Sequence, residues 1–378
     1  MLRLTSKSLL IIFLLLASSC LFSSSYPLST QNKWILDEST GRRAKFACVN
    51  WAGHLEPMIP EGFHKQPLKH IVAQIAQHKF NCVRLTYAIH MWTRHGNDTV
   101  GDTLLNLDLP DAIQGMEKNN PSFLVMTHVQ VFEVVVRELG AHKVRVLLDN
   151  HVSKPKWCCN DDDENGFFHD RHFDPEEWIQ GLTLAAKHFA GNSAVAAMSL
   201  RNELHGPRQN QGDWYKYMSH AARAIHKANP QVLVVISGLN YDTELQFLRK
   251  KALNLDIDYR AGFVTTGENA VPLIFTEFGF DQTGGSEEDL KFLTCIQTYL
   301  AGRDMDWALW TLQGSYYMRE ERVDVEDTFG VLDSSWNQLK NPNLTQMLQL
   351  LQRTNQDRGS KLPQHSILYH PLSGQCVM

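Results

Sequence analysis

Two glutamates stand where buried apolar runs of this sequence end: Glu203 closes AVAAMSLRNE (194–203), and Glu277 lies within PLIFTEFGF (272–280). A carboxyl in such a position is either held by a structural partner or placed for use. A pair of them is what cleavage of a glycosidic bond requires, one held protonated to donate to the leaving oxygen and one held ionised to attack or to activate water. Arg84, in the run NCVRLTYAIHMW (81–92), is a fixed cation expected to hold a neighbouring Glu277 ionised. Glu203, lacking such a partner, is expected to keep a raised pKa and serve as the acid. Asn202 beside it can donate and accept toward hydroxyls.

Further side chains fit the same chemistry and also have plainer readings. Trp51, Trp92 and Trp310 can stack on the apolar face of a sugar ring at the mouth of a cleft, although aromatics are more often packing. His151 reads as a cleft residue or as a satisfied core histidine, and Arg84 as part of the site or as a strand-end ion pair. The segment CCNDDDENGFFHDRHF (158–173) gathers Cys158, Cys159, Asp161 to Asp163, His169 and His172. Adjacent cysteines rarely share one tetrahedral ion, and C-x2-C spacing is absent. The Asp run also lacks the spacing and the position-twelve Glu of a calcium loop. The segment is expected to be a long loop rimming the cleft, with no metal and no cofactor.

Positioning these groups requires a scaffold, and the chain supplies strand and helix in alternation. Apolar runs at 46–53, 81–92, 143–153, 194–203, 231–240, 272–280 and 306–315 are continuous rather than alternating, as in a parallel sheet covered by helices. Between them Leu68, Ile71, Val72, Ile75 and Ala76 follow one helical face, as do Trp214, Tyr217, Met218, Ala221, Ala222 and Ile225. Asp174 and Pro175 open another helix as N-cap and first residue, with Glu177 placed for a capping box. No Gly-rich phosphate loop follows the first strand, as an open dinucleotide-binding sheet would require. Nearly every strand ends in polar or aromatic residues, which is how a closed barrel builds its site. The expected fold is therefore α/β, a (β/α)8 TIM-type barrel over residues 30–355.

The ordered motifs LRNE, FTEFG, VRL, DNH and WALW together resemble glycoside hydrolase family five, the cellulase family. The closer likeness is to its plant branch of secreted cellulase-like proteins, through NWAGHLEP, RHGNDTVGDTL, LLDNHVSKPKWCC, SLRNELHGPRQN and LWTLQGSYYMRE, covering about residues 33 to 355. The resemblance implies a retaining double displacement on a β-linked polysaccharide of cellulose, glucan or mannan type, with Glu203 as general acid/base and Glu277 as nucleophile. It further implies that Asn202 binds the sugar 2-hydroxyl, that Arg84 and His151 support the nucleophile and the adjoining sugar subsite, and that Trp310, with Trp51 also at the mouth, is a stacking platform.

Two places depart from that pattern. Residues 241–271 have room for one helix and little of a further strand with its own helix, so strand six of the barrel is expected to be missing or shortened. The family's His-x-Tyr motif belongs there, yet no histidine lies between His226 and His365. The alternative function is accordingly a catalytically impaired carbohydrate-binding barrel. Residues 356–378 read as a linker and the first strand of a truncated lectin-like β-trefoil.

Composition sets the outer limits. A net charge of -5 on 378 residues, with no long basic run, argues against nucleic-acid or anionic-membrane partners. Arg3, Lys7 and the apolar run Leu9 to Ala17 form a secretory signal pattern over residues 1–25, so a secreted monomer in the extracellular space or cell wall, acting on polysaccharide or oligosaccharide, is expected. Of seven cysteines, Cys20 leaves with the signal. Cys48 and Cys82 sit in apolar runs as inert core thiols, and Cys158, Cys159, Cys295 and Cys376 are looser disulfide candidates.

Overall fold

The structure is a computed structural model that describes residues 28–253, 255, 272–284, 286–354, 368–370 and 375–377. A hairpin of β1 (Leu28–Gln31) and β2 (Trp34–Asp37) precedes β3 (Ala47–Trp51), β4 (Cys82–Ala88), β5 (Arg145–Val152), β6 (Val195–Ser199), β7 (Leu233–Val235), β8 (Ile274–Phe278) and β9 (Asp306–Leu309). These last seven form one parallel sheet in the order β7-β6-β5-β4-β3-β9-β8. Among the described residues it supplies seven strands of the α/β sheet of a (β/α)8 TIM-type barrel, and each expected apolar run supplies one of them.

The edges of the sheet are β7 and β8, and no ladder joins them among the described residues. Between them, residues 241–253 hold one helical turn, Phe247–Lys250, and no strand. The rest of the stretch expected to lack strand six, residues 254 and 256–271, lies outside the described residues. An edge shows in the burial: Ile274 to Glu277 of β8 are half-buried, whereas all of β4 is buried. Residues 1–25, expected to be a signal segment, and nearly all of the C-terminal segment also lie outside the described residues, apart from an antiparallel pair, Leu368–His370 with Gln375–Val377. No helix among the described residues is long and apolar enough to cross a membrane.

Strand periodicity divides the sheet into two faces. Val49, Trp51, Val83, Leu85, Tyr87, Val146 and Leu148 pack against helix residues such as Ile71, Val135, Leu182 and Met218. The alternate positions Cys48, Cys82, Leu147, Ala197, Leu233 and Ala308 form a second cluster with Leu28 and Ile35 of the hairpin. One strand position above that cluster the same interior face turns polar, with Asn50 paired to Arg84 across β3 and β4, and Thr86 to Asp149 across β4 and β5. The apolar plug and the reactive layer are thus neighbours on the same strands.

The helices follow their sequence pattern. Gln211–Ala228 buries Trp214, Tyr217, Met218, Ala221, Ala222 and Ile225. Asp174 caps Pro175–His188, accepting from the backbone N–H of Glu176 and Glu177 at 2.9 and 2.8 Å. The expected capping box is not what Glu177 makes: its carboxylate takes the Arg94 guanidinium at 2.6 and 2.7 Å, because a cation outcompetes a single backbone N–H.

Cys48 and Cys82 correct the sequence reading more substantially. They are not free core thiols but a disulfide, with Cα atoms 4.3 Å apart. Register explains it, since the two are paired positions on neighbouring strands and face the same side. Cys158 bonds Cys159, and Cys295 is disulfide-bonded as well. The Cys48–Cys82 bridge closes a loop of sequence separation 34, which corresponds to about 3–4 kcal/mol of stabilisation through the unfolded chain. The double variant Cys48→Ala/Cys82→Ala is expected to lose that much in denaturant unfolding followed by tryptophan fluorescence, with the end-point spectrum of the native state unchanged.

Candidate active site

Arg84 is the hub of the polar layer. It is 2 % exposed, its Nη1 donates to Asn50 Oδ1 at 2.9 Å and to the Glu277 carboxylate, and its Nη2 donates to Asn202 Oδ1 at 2.6 Å and pairs with Asp149 Oδ2 at 2.9 Å. Burial opposes the charge, but Asp149 and Glu277 outweigh it and hold the guanidinium charged, above its usual range. Four side chains from β3, β5, β8 and the end of β6 are therefore oriented by one rigid fork.

Asp149 continues the network. Burial alone would raise its pKa, yet Arg84 and the bond from His151 hold it down at about 2. His151 Nδ1 lies 2.8 Å from Asp149 Oδ2 and its Nε2 is 3.4 Å from Asn202 Nδ2. The carboxylate accepts from Nδ1–H, which turns Nε2 toward the Asn202 amide. The Asn202 amide is fixed in turn, its oxygen taken by Arg84 and its NH2 directed into the cleft.

Glu203 is half-buried, as Glu277 is, but it is Glu277 that Arg84 bonds directly. Desolvation first, then the nearby charges of Glu277 and Asp242, push the Glu203 carboxyl up to about 8, with Arg84 too weak at that position to reverse the shift. Its backbone is left-handed, φ 36°, at a cost of about 1–3 kcal/mol for a residue with a Cβ. The turn is held on both sides: Leu200 N–H donates to Val235 O at 2.9 Å and Asn202 N–H to Asn150 O at 2.8 Å.

Trp310 closes the opposite wall. Its N–H donates to Phe278 O at 2.8 Å, which ties it beside Glu277, and its ring lies parallel to His151 at 5.8 Å and 19°. Gly279 is required for this approach, since a Cβ there would sit 2.6 Å from the Trp310 carbonyl oxygen. Asn50 Nδ2 bridges the same corner, donating to Thr276 O at 3.0 Å and Leu309 O at 3.2 Å.

Of the residues singled out from sequence, Glu203, Glu277, Arg84, His151, Asn202 and Trp310 are brought together. Trp51 is not. It is fully buried on the helix-facing side, edge-on to Phe63 at 5.7 Å, with Nε1 donating to Glu61 O at 2.9 Å. It packs rather than lining the cleft, because strand alternation turns Asn50 inward and Trp51 outward. Trp92 likewise packs, edge-on to Tyr87 and Phe189.

Four contributors were missed: Asn50, Asp149, His54 and Asp242. Asp149 lay in plain sight two residues before His151, on the same face of β5. His54 lies against His151, tilted, at 4.0 Å and contacts Thr86 Oγ1 at 2.7 Å; burial, and then His151 and Arg84, hold its pKa well below the usual imidazole range. Asp242, raised to about 7 by desolvation against the pull of Arg84, had no motif to reveal it.

The acidic run Asp161 to Asp163 is a fastener. Asp161 accepts from Tyr241 Oη at 2.6 Å and Gly206 N–H at 3.3 Å, and Asp163 pairs with His205 Nε2 at 3.3 Å. Among the described residues Cys158, Cys159 and Glu203 are the group whose ligand atoms converge, but sulfurs bonded to each other offer no thiolate to an ion.

Comparison with known proteins is consistent with this geometry. The family model for cellulase, glycosyl hydrolase family 5, matches residues 42–259. A glycosyl hydrolase 5 family protein of Chamaecyparis obtusa is 43% identical over 396 residues, covering 94% of this chain and 71% of that one. An endoglucanase of Paenibacillus polymyxa is 22% identical over 57% of this chain and 50% of its own. Among solved structures, a hyperthermophilic endocellulase of Pyrococcus horikoshii superposes with a TM-score of 0.67 at 16% identity, over 87% of this chain and 99% of its own. The catalytic domain of the major endoglucanase of Xanthomonas campestris does so with 0.67 at 20%, over 86% and 99%.

Proposed function

The chain belongs to glycosyl hydrolase family 5 and is a glycoside hydrolase, and from that premise we propose that it cleaves β-linked glucan by a retaining double displacement on Glu203 and Glu277. The observation that carries the reading is the contrast between two neighbouring carboxyls, Glu203 desolvated and pushed to about 8, Glu277 bound by the buried Arg84. Environments that separate a pair in this way assign the acid and the nucleophile.

In the first step Glu277 attacks the anomeric carbon, the bond to the leaving oxygen breaks, and that oxygen takes the Glu203 proton. In the second, Glu203 as carboxylate takes a proton from water, which attacks the same carbon and frees Glu277. Arg84 occupies the Asn202 oxygen, so it is the NH2 group of Asn202 that donates to the sugar 2-hydroxyl. Trp310 offers its ring to the sugar at the nucleophile side. Glucan rather than mannan is favoured by those similar proteins that are named endoglucanase or endocellulase, one of them, as a variant, solved with cellotetraose.

The acid must hold its proton at the start of the cycle, so kcat/KM is expected to persist through neutrality and to fall about tenfold per pH unit above about 8, the value to which Glu203 is raised. A descending limb centred near the ordinary carboxylate range would contradict the assignment. Reducing-sugar release from carboxymethyl cellulose, barley β-glucan and glucomannan, measured side by side with soluble cello-oligosaccharides, tests the substrate class. Sugar binding with no release from any of them would instead identify a carbohydrate-binding barrel.

A further inference from the structure

Two tripeptides of the sequence have no part in the reaction above, Asn97-Asp98-Thr99 and Asn343-Leu344-Thr345. Each has the Asn-X-Thr spacing at which an oligosaccharide is joined to an asparagine amide nitrogen, with a hydroxyl two residues on to assist. Such transfer takes place in the oxidising lumen of a secretory pathway. The chain carries the mark of that compartment, since Cys48 bonds Cys82, Cys158 bonds Cys159, and Cys295 is disulfide-bonded.

The folded protein leaves room for a glycan at Asn343. This residue is exposed, and its side chain makes no capping bond to the short helix Leu344–Met347 that follows. Its backbone is used instead: the N–H donates to Asn341 Oδ1 at 3.0 Å, and the carbonyl accepts from the Met347 N–H at 3.0 Å. The rest of the tripeptide faces inward. Leu344 is 1 % exposed, and Thr345 Oγ1 lies 3.2 Å from His78 Nδ1. A bulky, hydrated chain on the Asn343 amide therefore meets solvent while the packing beside it stays as it is.

Position on the barrel separates this site from the cleft. His78 lies just before β4, and its carbonyl accepts from Gln352 Nε2 at 2.9 Å; Trp307, near the start of β9, donates from Nε1 to Leu351 O at 2.9 Å. The segment from Thr345 to Gln352 is thus packed at strand starts, whereas Glu203, Glu277 and Trp310 stand at strand ends. Asn97 differs in two respects. It lies on the segment that follows β4, on the mouth side, and its middle residue is Asp98, a carboxylate set beside an amide that must approach an anionic donor.

We propose that Asn343 is an N-glycosylation site, filled in preference to Asn97. In the transfer the Asn343 amide nitrogen bonds to the anomeric carbon of an oligosaccharide carried on a lipid pyrophosphate. The bond from that carbon to the pyrophosphate oxygen breaks, and the lipid pyrophosphate leaves with the electron pair and takes up the proton lost by the amide.

The test is expression of the full chain in cultured plant cells, with protein from cells and medium pooled and digested. Peptide N-glycosidase A in heavy-oxygen water then converts each occupied asparagine to a labelled aspartate, which mass spectrometry locates. Most copies are expected to carry the label at Asn343 and a smaller fraction at Asn97. On gels the main band is expected to shift to faster migration for Asn343→Gln and for Thr345→Val, and to stay in place for Thr345→Ser, which keeps the hydroxyl. Transfer precedes folding, so a variant that fails to fold still reports. An unlabelled Asn343, a label at Asn97 that exceeds it, or a main band unmoved by Asn343→Gln overturns the assignment. The label is read without turnover, so failure of the glucanase reading leaves this test intact.

Discussion

Glu277→Gln lowers kcat on cellotetraose by roughly 10⁵-fold or more, the scale of loss when a nucleophile is removed, while cellotetraose still binds. The amide keeps the shape of the side chain and an oxygen that can accept from Arg84 Nη1. What disappears is the negative charge that attacks the anomeric carbon. Arg84 remains paired with Asp149 at 2.9 Å, so the buried guanidinium is not left without a counter-charge and the polar layer keeps its arrangement. Equilibrium binding by calorimetry together with rapid-quench kinetics checks both halves. A variant that loses binding in step with turnover would place Glu277 in structure rather than in chemistry.

Glu203→Ala gives a slow enzyme whose loss depends on the leaving group. General acid assistance contributes about 10²–10⁴-fold, and it is needed most where the departing oxygen is basic. The deficit is therefore largest for cello-oligosaccharides and smallest for 2,4-dinitrophenyl cellobioside, whose leaving group departs without a proton. The substitution also removes a desolvated carboxyl and leaves the left-handed backbone strained to a similar degree, so the folded protein is not expected to suffer. Rates across a series of aryl cellobiosides measure the dependence; a uniform loss would mean that Glu203 is not the acid.

How far the sequence led can be judged from particular residues. The seven apolar runs, the helix faces and the two strand-end glutamates were legible because each rests on periodicity or on a costly residue in a costly place. Trp51 went astray because a run that is apolar on both faces conceals which residue points inward: Asn50 lines the cleft and its neighbour packs behind the sheet. The Cys48–Cys82 bridge was invisible for a related reason, since it depends on the register of two strands separated by a whole helix. His54 and Asp242 come from loops, where position is set by tertiary contacts and no period marks it. Asp149 could have been found by applying the two-residue period of β5 to His151.

The central claim is that Glu277 forms the covalent bond to sugar. Incubation with 2,4-dinitrophenyl 2-deoxy-2-fluoro-β-cellobioside, which slows the release of the intermediate, followed by peptic digestion and mass spectrometry, tests it most directly. The label is expected on the peptide containing Glu277 and at that residue. Attachment at Glu203, Asp242 or Asp281, or complete turnover of a competent substrate with inversion and no covalent adduct, would contradict the account.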